Sequence, residues 1–288
     1  MPESNLEKIK RICQVYNITP TRSKGQSFLI NSDISQHMVL LAGVKPGDAV
    51  LEVGPGLGIL TESLVKSGAE VVSVELDQRI FSFLKAKFIN VKSLELFNGD
   101  ILRWQVNQSQ KLSQAKSYKV VANLPYNITS IFLRQFLTTE PKPASMVLML
   151  QKEVASRICA QAGQMSLLAV SVQLYGLPQI VTAVSRSNFW PIPKVDSAVV
   201  KISDIKSQPD INEMLAPITE KQFWRVAKIG FAAKRKKLLN NLAGGLKIDR
   251  EAVLPALSSQ KIDGNKRAQD LSVGDWIALA KSLINYLN

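Results

Sequence analysis

Short apolar runs alternate with longer segments of helical periodicity through the first 150 residues of the chain. The runs have the length and the β-branched content of buried strands, and the segments between them place apolar residues on one helical face. Strands and helices that alternate in this way form a parallel, doubly wound α/β sheet. The predicted strands are Ala49–Val53, Glu70–Val74, Ser93–Phe97, Lys119–Ala122 and Met146–Leu150, and the predicted helices are Leu57–Lys66, Gln78–Phe88 and Ile131–Leu137.

The alternation changes after residue 150. Glu153–Leu174 has helical periodicity, and the strand candidates Ile180–Val184 and Ser197–Ile202 follow each other without a helix between them. Two such strands are expected to pair antiparallel. A mostly parallel, Rossmann-like sheet that ends in an antiparallel hairpin is typical of S-adenosylmethionine-dependent methyltransferases.

A polar stretch, Asp204–Glu213, separates the sheet pattern from a helical remainder. With 288 residues, of which 46% are hydrophobic, the chain is long enough for one full domain and one smaller one. We therefore predict a methyltransferase domain over residues 1–204 and a small all-α domain over residues 205–288.

Positive charge is concentrated in the predicted helical domain. The net charge is +13, and the stretch from Lys221 to Lys247 holds eight Lys or Arg residues and no acid. Lys221, Arg225, Lys228 and Arg235 recur at helical spacing, which predicts one basic stripe. The stripe is either a solvated helix face or a groove for a phosphate backbone, and the charge of the whole chain favours the groove. The candidate RNA-binding residues are Arg225, Lys228, Lys234, Arg235, Lys236 and Lys237.

Several other classes of function are disfavoured by the composition. The two cysteines, Cys13 and Cys159, lie far apart, and His37 is the single histidine, so we expect no metal site and no Ser-His-Asp hydrolase. Met1–Lys24 lacks the apolar core of a secretion signal, and no run approaches the roughly 18 apolar residues of a membrane span. We expect a cytoplasmic protein that does not contact membranes.

A glycine-rich loop follows the first long predicted strand. Glu52 and Val53 run into Gly54-x-Gly56-x-Gly58, where glycines allow a sharp turn close to a ligand at the start of the next helix. The dinucleotide fingerprint is G-x-G-x-x-G, and Pro55 supplies no amide donor for a pyrophosphate. The loop therefore favours a nucleoside cofactor without phosphates over NAD.

Carboxylates follow the next two predicted strands. Glu75 lies 21 residues after Gly54 and is placed to accept both hydroxyls of a ribose. Asp77 is as readily explained as the cap of the following helix. Asp100 can accept the amine of a cofactor adenine or can serve as a turn residue.

The segment Asn123–Tyr126 reads Asn-Leu-Pro-Tyr and follows the fourth predicted strand. Adenine N6 is a poor nucleophile because its lone pair is delocalised into the ring. The Asn123 side-chain oxygen and the Leu124 carbonyl can accept the two N6 hydrogens, and Tyr126 offers a flat face for a flipped-out base. Pro125 stiffens the turn. Turn chemistry alone is the alternative, and the cofactor loop ahead of this segment favours methylation of an adenine amine.

Two large aromatic residues, Phe189 and Trp190, lie between the last two predicted strands. Either ring can cover the second face of the target base. A hydrophobic plug beneath the hairpin explains the pair equally well.

Taken together with Gln26–Leu29, Leu150–Val154, Phe189–Val200 and Phe231–Lys237, these motifs resemble the KsgA-type ribosomal RNA small subunit adenine N6,N6-dimethyltransferases. The resemblance covers nearly the whole chain, from about residue 22 to Leu271. It implies dimethylation of two adjacent adenosines in the 3′-terminal hairpin loop of small-subunit (16S) rRNA, with S-adenosylmethionine as cofactor. The partner implied is rRNA in a pre-assembled 30S-type particle, and we expect a monomer.

The resemblance also assigns roles to individual residues. Three stretches depart from the family pattern. Ser27 stands where Asn is usual, Ile128–Ile131 reads Ile-Thr-Ser-Ile where Ile-Ser-Thr-Pro is common, and Leu167 stands where Arg is usual. The cofactor-binding positions implied are Ser27, Leu29, Gly54, Gly56, Glu75, Asp100 and Asn123. The catalytic positions implied are Asn123, Leu124, Pro125 and Tyr126, which hold the target base, and Phe189, which stacks on it.

Three alternative functions stay open at this point. A large-subunit rRNA adenine methyltransferase is the nearest, although that group usually carries Asn-Ile-Pro-Tyr where this chain has Leu124. A non-catalytic RNA-binding assembly factor or transcription factor would not need Glu75 or Asn123. A small-molecule methyltransferase would leave the basic stripe unexplained.

Overall fold

The computed structural model describes residues 5–21 and 26–287, so part of the polar stretch Met1–Lys24 lies outside the described residues. The chain forms two compact units. The sheet unit contains Met1–Ala155 and Leu177–Ile205, and the helical unit contains Ser156–Gly176 and Lys206–Asn288. The units differ from the predicted domains, 1–204 and 205–288, because Ser156–Gly176 groups with the helical unit. In the described ranges, every helix is too short or too polar to cross a membrane.

The strands lie close to their predicted positions. Six of the seven strands predicted from the sequence agree with the observed ones to within one residue at each end, and the remaining one, β7, begins three residues earlier than expected. The strands are β1 (Phe28–Leu29), β2 (Ala49–Val53), β3 (Glu70–Glu75), β4 (Leu94–Asn98), β5 (Tyr118–Asn123), β6 (Ser145–Gln151), β7 (Leu177–Val184), β8 (Phe189–Trp190) and β9 (Ser197–Ser203).

Seven strands form one sheet in the order β4-β3-β2-β5-β6-β9-β7. The pairs among β2 to β6 are parallel, and β9 pairs antiparallel with both β6 and β7. The predicted parallel sheet with a terminal antiparallel hairpin is therefore confirmed. This order places the carboxyl ends of β2, β3 and β5 side by side at one edge, where open α/β sheets bind ligands.

The helices of the sheet unit cover this sheet. The three predicted from periodicity are confirmed with small shifts at their ends. The helices are α1 (Asn5–Val15), α2 (Ser32–Leu41), α3 (Ile59–Lys66), α4 (Gln78–Lys87), α5 (Gln110–Ser113) and α6 (Thr129–Thr138), and α7 (Lys152–Ile158) begins in this unit.

The helical unit is built from short, well-capped helices. Thr219 and Gln222 form a reciprocal capping box at one of them, and Ser272 and Asp275 form another. The buried Trp276 packs on Gly230, where an added Cβ would lie 2.2 Å from the indole. The helices are α8 (Leu167–Gln173), α9 (Gln208–Leu215), α10 (Glu220–Gly230), α11 (Leu238–Leu246), α12 (Arg250–Ser259) and α13 (Val273–Ser282).

The predicted continuous helix Glu153–Leu174 is wrong. The segment forms α7 and α8 with a break at residues 159–166, because Gly163 adopts a left-handed φ of 100° and Ser166 caps α8 by accepting the N–H of Ala169. The Gln269 carbonyl accepts the N–H groups of Gly163 and Met165, which fixes the break.

A two-stranded ribbon outside the main sheet was not expected from the sequence. Strand β1 pairs antiparallel with β8, with Phe28 opposite Trp190 and Leu29 opposite Phe189. Leu29 and Phe189 enter one hydrophobic cluster with Val50 and Val147, whereas Phe28 and Trp190 join another cluster. Through this ribbon the segment that contains β1 pairs with the loop of the terminal hairpin and packs into both hydrophobic clusters.

Candidate active site

A cavity of about 240 Å³ opens at the carboxyl ends of β2, β3 and β5. It lies entirely within the sheet unit. Its lining brings together all the predicted cofactor-binding residues and the predicted base-holding loop. The predicted residues that line it are Ser27, Leu29, Gly54, Gly56, Glu75, Asp100, Asn123, Leu124, Pro125 and Tyr126.

The glycine-rich loop forms one wall of this cavity. Gly54 and Gly56 have φ angles of 62° and 56°, a left-handed conformation that residues with a Cβ rarely adopt. A Cβ on Gly56 would lie 3.2 Å from the Phe28 ring, and a Cβ on Gly54 would lie 3.4 Å from Pro125. The glycine loop and the base-holding loop therefore pack directly against each other.

Glu75 closes the cavity at the end of β3. Its side chain is 6% exposed and accepts the N–H of Asp77 at 2.8 Å and that of Gly56 at 3.3 Å. Burial raises the pKa of this carboxyl to about 7, against the lowering effect of the backbone hydrogen bonds. A carboxylate has about four acceptor positions, so Glu75 retains capacity for ribose hydroxyls.

Two other acids at this edge have structural roles of their own. Asp77 caps α4 by accepting the N–H of Arg79 at 3.0 Å, as the alternative interpretation predicted, and the Gln26 amide donates to its second oxygen at 3.4 Å. Asp100 lines the cavity and also accepts the N–H of Leu102 at 2.9 Å. The turn role and the cavity position of Asp100 therefore coexist.

Glu52 is a residue of this site that the sequence analysis did not select. It is fully buried in β2, and its Oε2 atom accepts the hydroxyls of Ser73 at 2.5 Å and Thr61 at 2.8 Å. Its Oε1 atom is buried without a hydrogen bond to any described residue, and Glu52 lines the cavity. Burial is the main cause that raises the pKa of Glu52 to about 7. An acid inside an apolar strand is the signal that identifies it in the sequence.

The base-holding loop is anchored on three sides. Asn123 ends β5, and the N–H of Leu124 donates to the Met149 carbonyl at 3.2 Å. Pro125 packs on Gly54, and the Tyr126 hydroxyl lies 2.8 Å from the hydroxyl of Ser197. Burial raises the pKa of Tyr126, so its phenol is neutral at physiological pH.

Phe189 does not line this cavity. Its ring is 1% exposed and belongs to the hydrophobic cluster that contains Leu29, while Trp190 packs against the cluster that contains Phe28. These positions agree with the hydrophobic plug considered as the alternative for the two aromatics. The stacking of Phe189 on a target base stays a prediction.

The predicted basic stripe in the helical unit is wrong in one respect. Lys221, Arg225 and Lys228 lie exposed along α10, but α10 ends at Gly230, so Arg235 belongs to the following loop. The side-chain amide of Asn241 accounts for this end, because it donates to the carbonyls of Gly230 at 2.7 Å and Ala233 at 3.1 Å. The basic surface, as we use the term, consists of the exposed residues Lys221, Arg225, Lys228, Lys234, Arg235, Lys236 and Lys237.

The cavity fits S-adenosylmethionine. A buried carboxylate at Glu75 suits vicinal hydroxyls, and the close approach of the glycine backbone suits a nucleoside. The loop contains Pro55 in place of a residue whose amide would bind a phosphate. The sheet and its cavity define a methyltransferase that uses S-adenosylmethionine as its cofactor.

Comparison with known proteins identifies the family. Residues 19–285 match the family model described as ribosomal RNA adenine dimethylase. A curated relative, ribosomal RNA small subunit methyltransferase A of Dehalococcoides mccartyi strain 195, is 41% identical over 95% of this chain and 91% of its own. The protein of the same name from Alkaliphilus oremlandii is 34% identical over 99% of both chains. The chain belongs to the ribosomal RNA adenine dimethylase family.

A solved structure agrees with this assignment. The dimethyladenosine transferase from Plasmodium falciparum superposes with a TM-score of 0.74 at 26% identity, covering 90% of this chain and 98% of that one. The predicted fold and the predicted enzyme class, an S-adenosylmethionine-dependent rRNA adenine dimethyltransferase, are confirmed.

Proposed function

We propose that the protein dimethylates N6 of two adjacent adenosines in the 3′-terminal hairpin loop of small-subunit rRNA during assembly of the small ribosomal subunit. One observation carries the proposal. The carboxyl ends of β3, β4 and β5, which flank the glycine loop after β2, bring Glu75, Asp100 and Asn123 to a single cavity. Gly54 of the glycine loop packs on Pro125 of the base-holding loop. A cofactor and a base held by these two loops would be neighbours.

The residues that line the cavity have separate roles. S-adenosylmethionine, when bound, supplies an electrophilic methyl group. Glu75 would hold the ribose hydroxyls, and Asp100 would accept the adenine amine of the cofactor. The Asn123 side-chain oxygen and the Leu124 carbonyl would accept the two hydrogens of the target N6, which draws its lone pair out of conjugation and directs it at the methyl group. Tyr126 would stack on the target base, a contact worth roughly 1–3 kcal/mol.

The reaction depends on the orientation of the target amine toward the methyl group and needs no general base before transfer. The methylated amine is strongly acidic, so it loses its proton to the Asn123 oxygen or to water after transfer. Catalysis then rests on the positions of Asn123 and Leu124, which the buried end of β5 fixes.

The choice of the small subunit is supported by the names of the two curated relatives, each called ribosomal RNA small subunit methyltransferase A. Leu124 supports it as well, because large-subunit enzymes of this type usually carry Ile at that position. The basic surface of the helical unit supports a polyanionic substrate, since exposed Lys and Arg residues contribute most of the affinity for a phosphate backbone. The monomeric state and the cytoplasmic location stay predictions.

The proposal is tested by incubating the purified protein with labelled S-adenosylmethionine and small ribosomal subunits that lack the methylation. N6,N6-dimethyladenosine cannot form a normal base pair, so primer extension stops at it. We expect label in the small-subunit RNA and stops at two adjacent adenosines of the 3′-terminal hairpin. Large subunits in a parallel reaction serve as the comparison. Label in large-subunit RNA, or binding to the particle without label, would contradict the proposal.

A further inference from the structure

The base-holding loop is joined to the terminal hairpin by one hydrogen bond between side chains. The hydroxyl of Tyr126 lies 2.8 Å from the hydroxyl of Ser197, the first residue of β9. Ser197 is fully buried, whereas Tyr126 is half-buried and lines the cavity. The bond therefore runs from the cavity wall into the protein interior.

Ser197 is held firmly by its own backbone. It pairs with Gln151 of β6 on one side and with Val184 of β7 on the other. The preceding residue, Asp196, accepts the N–H of Lys152 at its carbonyl and the N–H of Arg186 at its carboxylate, both at 3.0 Å. The Ser197 hydroxyl is therefore a fixed point on the sheet.

Tyr126 has no comparable backbone support. It follows Pro125 in a turn closed by the N–H of Ile128 on the Pro125 carbonyl. Within the part of the chain that the structure describes, its own carbonyl receives only a long contact, 3.5 Å, from the Thr129 hydroxyl. A tyrosine ring in such a turn can still rotate about two side-chain torsions. The hydroxyl contact with Ser197 fixes the position of the phenol oxygen and therefore the direction of the ring axis.

We propose that Ser197 is a positioning residue, which orients the Tyr126 ring so that the target adenine stacks with its N6 beside Asn123. The inference rests on the proposed role of Tyr126 as the stacking face for the base. Ser197 does not line the cavity, so it acts through Tyr126 and does not touch the substrate. A tilt of the ring would move the base and leave the cofactor residues Glu75 and Asp100 in place.

The effect should therefore fall on kcat, with little change in cofactor affinity. Misplacing a reacting group by about 1 Å can cost about 100-fold in rate, and loss of one orienting hydrogen bond should cost about tenfold. Deleting either hydroxyl deletes the same bond, so the effects of Ser197→Ala and Tyr126→Phe should not multiply.

The test is a double-mutant cycle on the full chain, with unmethylated small ribosomal subunits and labelled S-adenosylmethionine. We expect each single variant to lose about tenfold in kcat and the double variant to lose no more. Ser197→Thr retains the hydroxyl and should restore most of the rate. Ser203→Ala removes a half-buried hydroxyl at the other end of β9, far from Tyr126 along the strand, and should match the wild type. Calorimetric titration with S-adenosylmethionine should give equal Kd values for all variants.

Several results would overturn the inference. Losses that multiply to about 100-fold, or a kcat unchanged in Ser197→Ala, would show that the hydroxyl pair does not act as a unit. Should Ser197→Ala fail to fold, Tyr126→Phe, which leaves the core of the sheet intact, decides alone: an unchanged kcat contradicts the inference. A wild-type protein without activity would refute the proposed function instead, so the two failures are distinguishable.

Discussion

The cavity of the sheet unit and the basic surface of the helical unit present their functional groups in opposite ways. In the cavity, Glu52 and Glu75 are buried, and the ends of β2 and β3 fix both side chains. The basic surface carries exposed Lys and Arg side chains on α10 and on the loop after it. Chemistry that depends on orientation needs the first arrangement, whereas affinity for a phosphate backbone needs only charge at the right density.

The largest expected effect lies in the cavity. Replacing Asn123 by Ala removes the side-chain oxygen that accepts an N6 hydrogen, and we expect kcat to fall about 100-fold or more. Labelled methyl transfer to small subunits measures the loss. Asn90→Ala, an exposed asparagine that does not line the cavity, is the matched control and should retain full activity. Equal activity of the two variants would contradict the assigned role of Asn123.

The helical unit should respond to a different kind of substitution. Asn241 is 8% exposed and donates to the carbonyls of Gly230 and Ala233, so Asn241→Ala removes the donor from one buried and one partly buried acceptor. We expect a loss of about 1–3 kcal/mol in the free energy of unfolding of the helical unit. Urea denaturation followed by circular dichroism measures it. Asn240→Ala, one residue away on α11, should stay within about 0.5 kcal/mol of the wild type.

The pH of the solution should change the stability of the sheet unit through the buried Glu52. Burial raises the pKa of Glu52 from 4.5 to about 7, so the folded protein holds a proton that the unfolded chain releases above pH 4.5. Stability from this group is therefore greatest at low pH and is lost as the pH rises from about 5 to 8. Glu52→Gln cannot ionise, so it does not lose this stability. We therefore expect the free energy of unfolding of the variant minus that of the wild type to increase by about 1–3 kcal/mol between pH 5 and pH 8.

A parallel urea series at pH 5 and pH 8 measures this difference. Glu75 remains in both proteins, so it enters the difference only through its coulombic interaction with Glu52. A difference that does not change with pH would mean that Glu52 has the same pKa in the folded and unfolded states.

The smallest expected effect lies on the basic surface. Lys228→Ala removes one exposed cation, and we expect a weakening of a few-fold in RNA affinity together with a decrease of about 0.7–0.9 in the slope of log K against log salt. Filter binding to small-subunit RNA at several KCl concentrations measures both. Lys85→Ala removes an exposed charge from α4 of the sheet unit and serves as the control. A salt slope that is the same in both variants would argue against a phosphate contact at Lys228.

The sheet could be predicted from the sequence because its signals are local. A strand such as Ala49–Val53 is buried along its whole length, and buried strands read as continuous apolar runs. Glu75 and Asn123 were found for the same reason, since each ends a recognisable strand. The carboxyl ends of neighbouring parallel strands must meet at one edge of the sheet.

Features that depend on distant contacts could not be predicted in this way. Strands β1 and β8 have two residues each, too few for any periodicity. They form because they pair with each other, although about 160 residues of sequence separate them. The end of α10 at Gly230 depends on Asn241, eleven residues further along the chain. The burial of Phe189 depends on Leu29, and the Ser197 contact depends on Tyr126.

The claim that the cavity and the basic surface have different roles is tested most directly by the salt dependence of the reaction. We would measure kcat and KM for methylation of small subunits by the wild-type protein at rising KCl and constant Mg²⁺. If the cavity supplies orientation and the basic surface supplies affinity, KM for the subunit rises steeply with salt while kcat stays constant. A kcat that falls with salt at constant KM would contradict this account, because charge would then act in the chemical step.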